Sequence, residues 1–273
     1  MEKIKDKIAI IGTGNIGSAI AEGLLDSKVV SASKLTLTKR RTDTLSKFSE
    51  RGVKTISDNL AAVKNSTIII LAVTPQKLDS ILEEIKDSLN PKKHIILSII
   101  TGAEVKDFKE KLGSEIPVVR VMPNTAIAIK ESMTCISANK EDSASLKIAE
   151  MIFNTVGKTA IINEDLMGPA TALVACGIAF FLRAIRAAGQ GGTEIGFHAE
   201  DAIMMAAQTA KGAASLLANG GYHPEREIDK VTTPQGLTIT GLNQMEHHGF
   251  SSAMITGIVS SAKRAETIFN KEK

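Results

Sequence analysis

Up to Ile162 the chain alternates short, solidly apolar runs with longer stretches whose apolar residues recur every three to four positions. The runs at 7–11, 34–38, 53–56, 66–73, 94–100, 116–121, 133–137 and 158–162 are rich in β-branched residues and predict strands. Most show no polar alternation, which predicts parallel strands covered on both faces. The stretches between them predict helices, among them Thr42–Arg51, one opening at Ser57-Asp58-Asn59, one ending near Leu89, and Glu141–Phe153. Strand and helix in alternation predict an α/β domain built on a doubly wound sheet over residues 1–163. Past Asn163 the strand signal stops. Ala-rich helices are expected at about 165–189, 199–219, 224–230, 234–248 and 251–270, giving an all-α second domain over 164–273.

The first apolar run leads straight into Gly12, Thr13, Gly14, Asn15, Ile16 and Gly17, and a helical pattern follows through Ile20, Leu24 and Leu25. This is strand, glycine turn and helix with G-x-G-x-x-G spacing, the pattern of a Rossmann-like dinucleotide site. Gly12 is expected to make the tight turn, Gly14 to let the backbone approach a pyrophosphate, and Gly17 to let helix and strand pack closely. The unpaired N–H groups at the helix start then meet the phosphates. In such domains an acidic residue at the end of the second strand binds the ribose 2′-hydroxyl of NAD. Here Thr38, Lys39, Arg40 and Arg41 stand there, and no acid occurs before Asp43. Cations suit a 2′-phosphate, so NADP is the expected cofactor, with NADPH preferred over NADH. Ligands bind beyond the carboxyl ends of the strands. Ala72-Val73-Thr74-Pro75, Ile100-Thr101-Gly102 and Met122-Pro123-Asn124 are therefore expected to line the crevice, with Asn59 beside it.

Composition narrows the classes. The 273 residues are 43% hydrophobic and 23% charged with net charge +3, ordinary values for a globular chain. That charge lacks a Lys/Arg track, and one Tyr, no Trp and eight Phe give no stacking surface, so nucleic acid is not expected as a partner. The apolar run from Leu166 to Leu182 is marginal in length for a membrane span and is expected to be a buried helix. Two cysteines and the absence of a leader pattern point to a reducing, cytoplasmic setting. The five histidines show no ligand spacing, so no metal is expected. Cys176, in an apolar stretch, reads as a packing residue.

Several motifs together resemble the pyrroline-5-carboxylate reductase family. Ala72-Val-Thr-Pro-Gln76 is similar to the family's A-V-K-P-Q, and Arg120-Val-Met-Pro-Asn-Thr125 to its R-V-M-P-N-T. Ala206-Ala-Gln-Thr-Ala210 with Gly212-Ala213-Ala214, then His223-Pro224 and the run from Asp229 to Leu242, resemble its C-terminal signature. Departures are Thr74 for Lys, Gln235 for the signature's first Gly, Leu237 before the key Thr, and Val174-Ala-Cys-Gly-Ile-Ala-Phe180 for S-G-S-G-P-A-Y. The resemblance implies hydride transfer from a nicotinamide cofactor to the C=N bond of a cyclic imino acid, giving proline.

The resemblance also implies that the second domain binds substrate and dimerises. Thr233-Pro234 reads as N-cap and N1 of a helix. The Gly236, Leu237 and Thr238 N–H groups would then sit near its start, where a carboxylate binds. Thr238 adds a hydroxyl for the substrate and is the candidate catalytic residue. The family also points to Glu164 and Lys230 as neighbours of the site. The helices at 165–189 and 199–219 carry more small apolar surface than one chain can cover, so a homodimer or an assembly of dimers is expected. Two other readings are weighed. β-Hydroxyacid dehydrogenases share the architecture but carry a catalytic Lys on the interdomain helix, and Leu166–Gln190 has none. A non-catalytic NADP-binding sensor or scaffold would accommodate the departures at Val174, Cys176, Gln235 and Leu237.

Overall fold

The computed structural model describes residues 3–270, with side chains described through Ala265. Its strands are β1 (Ile8–Ile11), β2 (Leu35–Thr38), β3 (Lys54–Ile56), β4 (Ile68–Leu71), β5 (Ile95–Ser98), β6 (Val118–Met122), β7 (Ser132–Ala138) and β8 (Gly157–Ile161). The α-helices of this part are α1 (Asn15–Asp26), α2 (Ser46–Ser49), α3 (Asn59–Lys64), α4 (Leu78–Ile85), α5 (Val105–Leu112), α6 (Ala144–Phe153) and α7 (Met167–Ala170). Then follow α8 (Gly177–Glu194), α9 (Ala199–Gly220), α10 (Pro224–Lys230), α11 (Leu237–His247) and α12 (Phe250–Asn270).

All eight strands form one sheet in the order β3-β2-β1-β4-β5-β6-β7-β8. Pairing is parallel except between β6 and β7, where the chain doubles back before β8 resumes parallel to β7. The lack of polar alternation in the strands has a direct cause. Ile8, Ile10, Leu35, Leu37, Ile68 and Ile70 point to one face and pack with Ile20 and Leu24 of α1 and Phe153 of α6. Ala9, Ile11, Ile69, Leu71 and Ile96 point to the other, against Val63 of α3, Leu82 of α4 and Phe108 of α5. Alternate residues thus enter separate cores, and each large side chain contributes about 1.5–3 kcal/mol by leaving water.

Backbone contacts divide the chain into two units. One comprises the chain through Ala175 and the stretch from Ala262 onward, and the other is Cys176–Ser261. The sheet ends near the expected 163, but the segment after it belongs to the first unit because polar contacts bind it to the end of β6, as described below.

Local geometry differs from expectation at four places. The helix expected at 42–51 is a turn of 3-10 helix, Thr42–Leu45, followed by α2. The helix expected at 165–189 contains a π segment, Thr171–Cys176, and α8 then continues to Glu194. α11 begins at Leu237, not at Pro234. The expected burial of the helix around Leu166–Leu182 is not met within one chain: Leu166, Leu173, Phe181 and Leu182 are 48%, 56%, 62% and 59% exposed. The run Glu164–Glu194 is long and apolar enough, by length and composition, to cross a membrane.

Candidate functional site

β1 lies between β2 and β4, so the sheet order reverses beside it and a crevice opens at the carboxyl ends. The glycine turn fills this point. Gly12 has φ +88°, and a Cβ there would lie 2.5 Å from Val73 Cγ1 and 2.8 Å from the Ala72 carbonyl oxygen. Only glycine suits both conditions. The Ala72 N–H donates to the Ile11 carbonyl at 2.8 Å and the Thr13 N–H to the Thr38 carbonyl at 2.9 Å, so the loop is tied to β4 and β2 at once. Thr13, expected to contact the cofactor, is itself fully buried.

Gly14 is the N-cap of α1 with nothing within 4 Å of its Cβ position. No side chain caps α1, and its first turn holds no acid. A helix leaves its first N–H groups unpaired, and here Asn15, Ile16 and Gly17 supply them. An open approach, free donors and the positive end of the helix dipole fit a pyrophosphate.

At the end of β2, Thr38 is 1% exposed and its hydroxyl donates to Asn59 Oδ1 at 2.7 Å. Asn59 Nδ2 donates to Glu84 Oε2 at 3.0 Å, and the Gly12 N–H lies 3.4 Å from Thr38 Oγ1. Asn59 therefore braces Thr38, and through it the glycine turn, with both ends of its amide engaged inside the protein. Arg41 is paired with Asp43 at 3.1 Å. Lys39 is half-buried and Arg40 exposed, and neither has an ionic partner among the described residues.

The opposite wall comes from β4, β5 and β6. Val73 packs on Gly12, while Thr74 and Pro75 are exposed at the start of a 3-10 turn, Pro75–Lys77. Ile16, Thr101, Gly102, Arg120, Met122 and Pro123 line a cleft of about 50 Å³. Asn124, expected to line the crevice, has its amide engaged within the protein. It is 7% exposed, its Oδ1 accepts the Ala126 N–H at 3.1 Å, and its Nδ2 donates to the Val174 carbonyl at 3.4 Å inside the π segment. The Thr171 hydroxyl lies 2.8 Å from Met122 Sδ. Asn124 and Met122 thus fasten the π segment to the end of β6.

Glu164 is also committed. Its Oε1 accepts from Arg120 Nη1 at 2.7 Å and from the Val105 N–H, at the start of α5, at 3.2 Å. Its Oε2 is buried without a hydrogen-bond partner. Arg120 is the cleft residue that sequence reasoning quoted in a motif without assigning it a role. Nothing local could have done so, because its partner stands 44 positions away.

The second unit holds the remaining candidates. Lys230 Nζ donates to Glu227 Oε1 at 2.6 Å and lies 5.3 Å from the Tyr222 ring, which Arg226 also covers at 4.0 Å. Thr233-Pro234-Gln235-Gly236 forms a turn in which the Gly236 N–H donates to the Thr233 carbonyl at 2.9 Å. Gln235, at its third position, has φ +57°. Gly236, not Thr233, is the N-cap of α11. The Gly236 N–H is therefore already bonded, which removes it from the expected carboxylate donors. The Leu237 and Thr238 N–H groups remain at the first turn, and Leu237 is 94% exposed.

Among the described residues no group of three or more His, Cys, Asp or Glu side chains could hold a metal. Both cysteines are free. Burial pushes the Cys135 thiol above its usual range, which makes it inert.

Comparison with known proteins matches both halves of the chain to family models. Residues 164–268 match "Pyrroline-5-carboxylate reductase dimerisation", and residues 7–102 match "NADP oxidoreductase coenzyme F420-dependent". Pyrroline-5-carboxylate reductase 1 of Dictyostelium discoideum is 48% identical over 285 residues, covering 100% of this chain, which spans 52% of that relative. Pyrroline-5-carboxylate reductase 2 of the same organism is 45% identical over 280 residues, covering 96% of this chain and 93% of the relative. The crystal structure of Plasmodium falciparum pyrroline carboxylate reductase with NADP bound superposes with TM-score 0.84 at 25% identity, covering 98% of this chain and 99% of that one.

Proposed function

Since the chain belongs to the pyrroline-5-carboxylate reductase family, we propose that it reduces the C=N bond of 1-pyrroline-5-carboxylate to give L-proline, with NADPH preferred over NADH. The observation that carries this reading is the glycine turn at the sheet's reversal point, whose open Gly14 and uncapped α1 adjoin the cleft below Thr101 and Pro123. NADPH, when bound, supplies the hydride. The chain's own residues do the rest. Asn15, Ile16 and Gly17 N–H groups hold the pyrophosphate, and Lys39 with Arg40 holds the 2′-phosphate. Ile16, Met122 and Pro123 present an apolar wall that keeps water from the reacting carbon.

The imine nitrogen of the substrate is basic and takes up its proton readily, so positioning matters more than a strong acid. In this proposal the start of α11 is the substrate loop. The Leu237 and Thr238 N–H groups receive the carboxylate, and the Thr238 hydroxyl hydrogen-bonds the imino acid. We further propose that a second copy of the chain, not lipid, covers the exposed apolar helices of 164–268, giving a homodimer or an assembly of dimers.

The purified protein should oxidise NADPH on addition of pyrroline-5-carboxylate, read as loss of nicotinamide absorbance with stoichiometric proline formed. Tight NADPH binding without turnover would replace this reading by the non-catalytic one. Sedimentation at micromolar concentration should show no stable monomer.

A further inference from the structure

The sheet has a second cavity at the end opposite the glycine turn. It measures about 510 Å³ and lies where the chain enters β1 and β2. Its rim carries Lys3, Lys5, Lys28, Lys34 and Arg51 with the Ser31 hydroxyl, and among the described residues no carboxylate lines it. Its floor is apolar, built from Ile4, Val29 and Val30, which are 7%, 2% and 3% exposed. Such a volume is in the range of small-molecule sites, roughly 300–1,000 Å³.

The cations are poorly compensated. Arg51 pairs with Asp26 at 2.6 Å, but Asp26 is shared with Lys130 at 2.8 Å. Lys34 Nζ donates to the Lys5 carbonyl, an uncharged acceptor. Lys3, Lys5 and Lys28 have no ionic or hydrogen-bonded side-chain partner among the described residues. Helix α1 ends at Asp26, and a cation just past its carbonyl end is ordinarily favourable. That accounts for Lys28 alone, because Lys3, Lys5 and Lys34 come from other segments. Lys28 also has φ +57°, in the left-handed region where glycine or asparagine usually ends a helix. The chain keeps a long cationic side chain on the rim at a backbone conformation that favours glycine.

We propose that this cavity is a binding site for an amphipathic polyanion of the nucleoside polyphosphate class. Its phosphates would meet the lysine rim and its base and sugar would cover Ile4, Val29 and Val30. It is separate from the dinucleotide crevice, since the length of β1 lies between them, so the two ligands bind together without competition.

The test uses the full chain saturated with NADPH, titrated calorimetrically with ATP and with inorganic pyrophosphate at low ionic strength. ATP should bind one per chain, at least about tenfold more tightly than pyrophosphate because only ATP covers the apolar floor. Two variants keep the result interpretable. Lys28→Gly removes a cation and also relieves the backbone, so it should melt higher and bind ATP more weakly. Lys5→Glu with Lys28→Glu should lower ATP affinity at least about tenfold while leaving NADPH affinity and turnover unchanged. The proposal is overturned if ATP fails to bind at millimolar concentration in the presence of NADPH. Affinity no better than that of pyrophosphate, or unchanged in both variants, overturns it equally.

Discussion

Gly12 and Gly14 stand two positions apart, and the same substitution should act on them in opposite ways. At Gly12 an alanine must accept φ +88°, which costs about 1–2 kcal/mol for an L-residue. Its Cβ would also lie 2.5 Å from Val73 Cγ1 and 2.8 Å from the Ala72 carbonyl oxygen, which is backbone and cannot swing aside. Overpacking of this kind costs about 1–3 kcal/mol, so Gly12→Ala should destabilise the cofactor-free protein by about 2–5 kcal/mol. At Gly14 the backbone is extended, with φ −90° and ψ −153°, and the space is open. Alanine gains about 0.4–1 kcal/mol by restricting the unfolded chain and loses a similar amount as a poorer N-cap. Stability should change by no more than about 0.5 kcal/mol. Yet the new methyl stands where a pyrophosphate must approach the backbone. Losing one hydrogen bond to a charged group costs about 1.5–3 kcal/mol, so NADPH affinity should fall by roughly 10- to 150-fold. Thermal melting of both cofactor-free variants and a fluorescence titration with NADPH make the comparison. If Gly14→Ala bound NADPH as the parent does, the glycine turn would not hold the pyrophosphate. If Gly12→Ala melted as the parent does, the steric reasoning would fail.

Replacing Lys39 and Arg40 together by Ala should raise the KM for NADPH by at least about tenfold and leave that for NADH nearly unchanged; equal losses would refute their assignment to the 2′-phosphate. Thr238→Val should lower kcat/KM for the imino acid by roughly 10- to 150-fold with NADPH binding intact, and full activity would leave α11 an ordinary helix start. Gln235→Gly should stabilise by about 1 kcal/mol, since it removes a left-handed L-residue from the turn; a lower melting temperature would show that the glutamine side chain compensates. His94 is 2% exposed and burial holds its imidazole below the ordinary value of 6.5, so it folds neutral and its contribution is complete only above that pH. Stability should therefore decline as pH falls below about 6.5; His94→Gln should flatten that decline in denaturant midpoints measured across the range, and an unchanged slope would place the titration elsewhere.

The sheet was legible because burial on both faces demands unbroken apolar strands, and Ile68–Leu71 is such a run. The glycine turn is legible because its three glycines fall within six residues between an apolar strand and a helix, although the Ala72 and Val73 atoms that exclude a side chain at Gly12 come from the end of β4. What escaped reading depends on distant partners or on backbone shape without a residue signature. Thr233-Pro234 has the chemistry of a helix cap. The turn that displaces the cap to Gly236 needs a left-handed third residue, and Gln235 gives no hint of that. Asn124 sits in a motif turn, but only the structure shows its amide spent on Ala126 and Val174. The Arg120–Glu164 pair joins a motif residue to one outside any quoted motif, and their opposite charges are unremarkable at that separation. The helix at Leu166–Leu182 reads as buried because an apolar run looks the same whether its own chain or another copy covers it.

Within Cys176–Ser261, the buried side chains and glycines along α8, α9, α10 and α11 are Gly177, Gly189 and Ala202. A layer with so few fully buried residues draws little stabilisation from its own interior. If a second copy covers its exposed apolar surface, as proposed above, folding of this segment obeys mass action. Dilution then becomes a denaturant: the midpoint of heat unfolding should climb with the logarithm of protein concentration. A cell making too little of the chain would lose it to proteolysis faster than in proportion, with abundance acting as its own stabiliser.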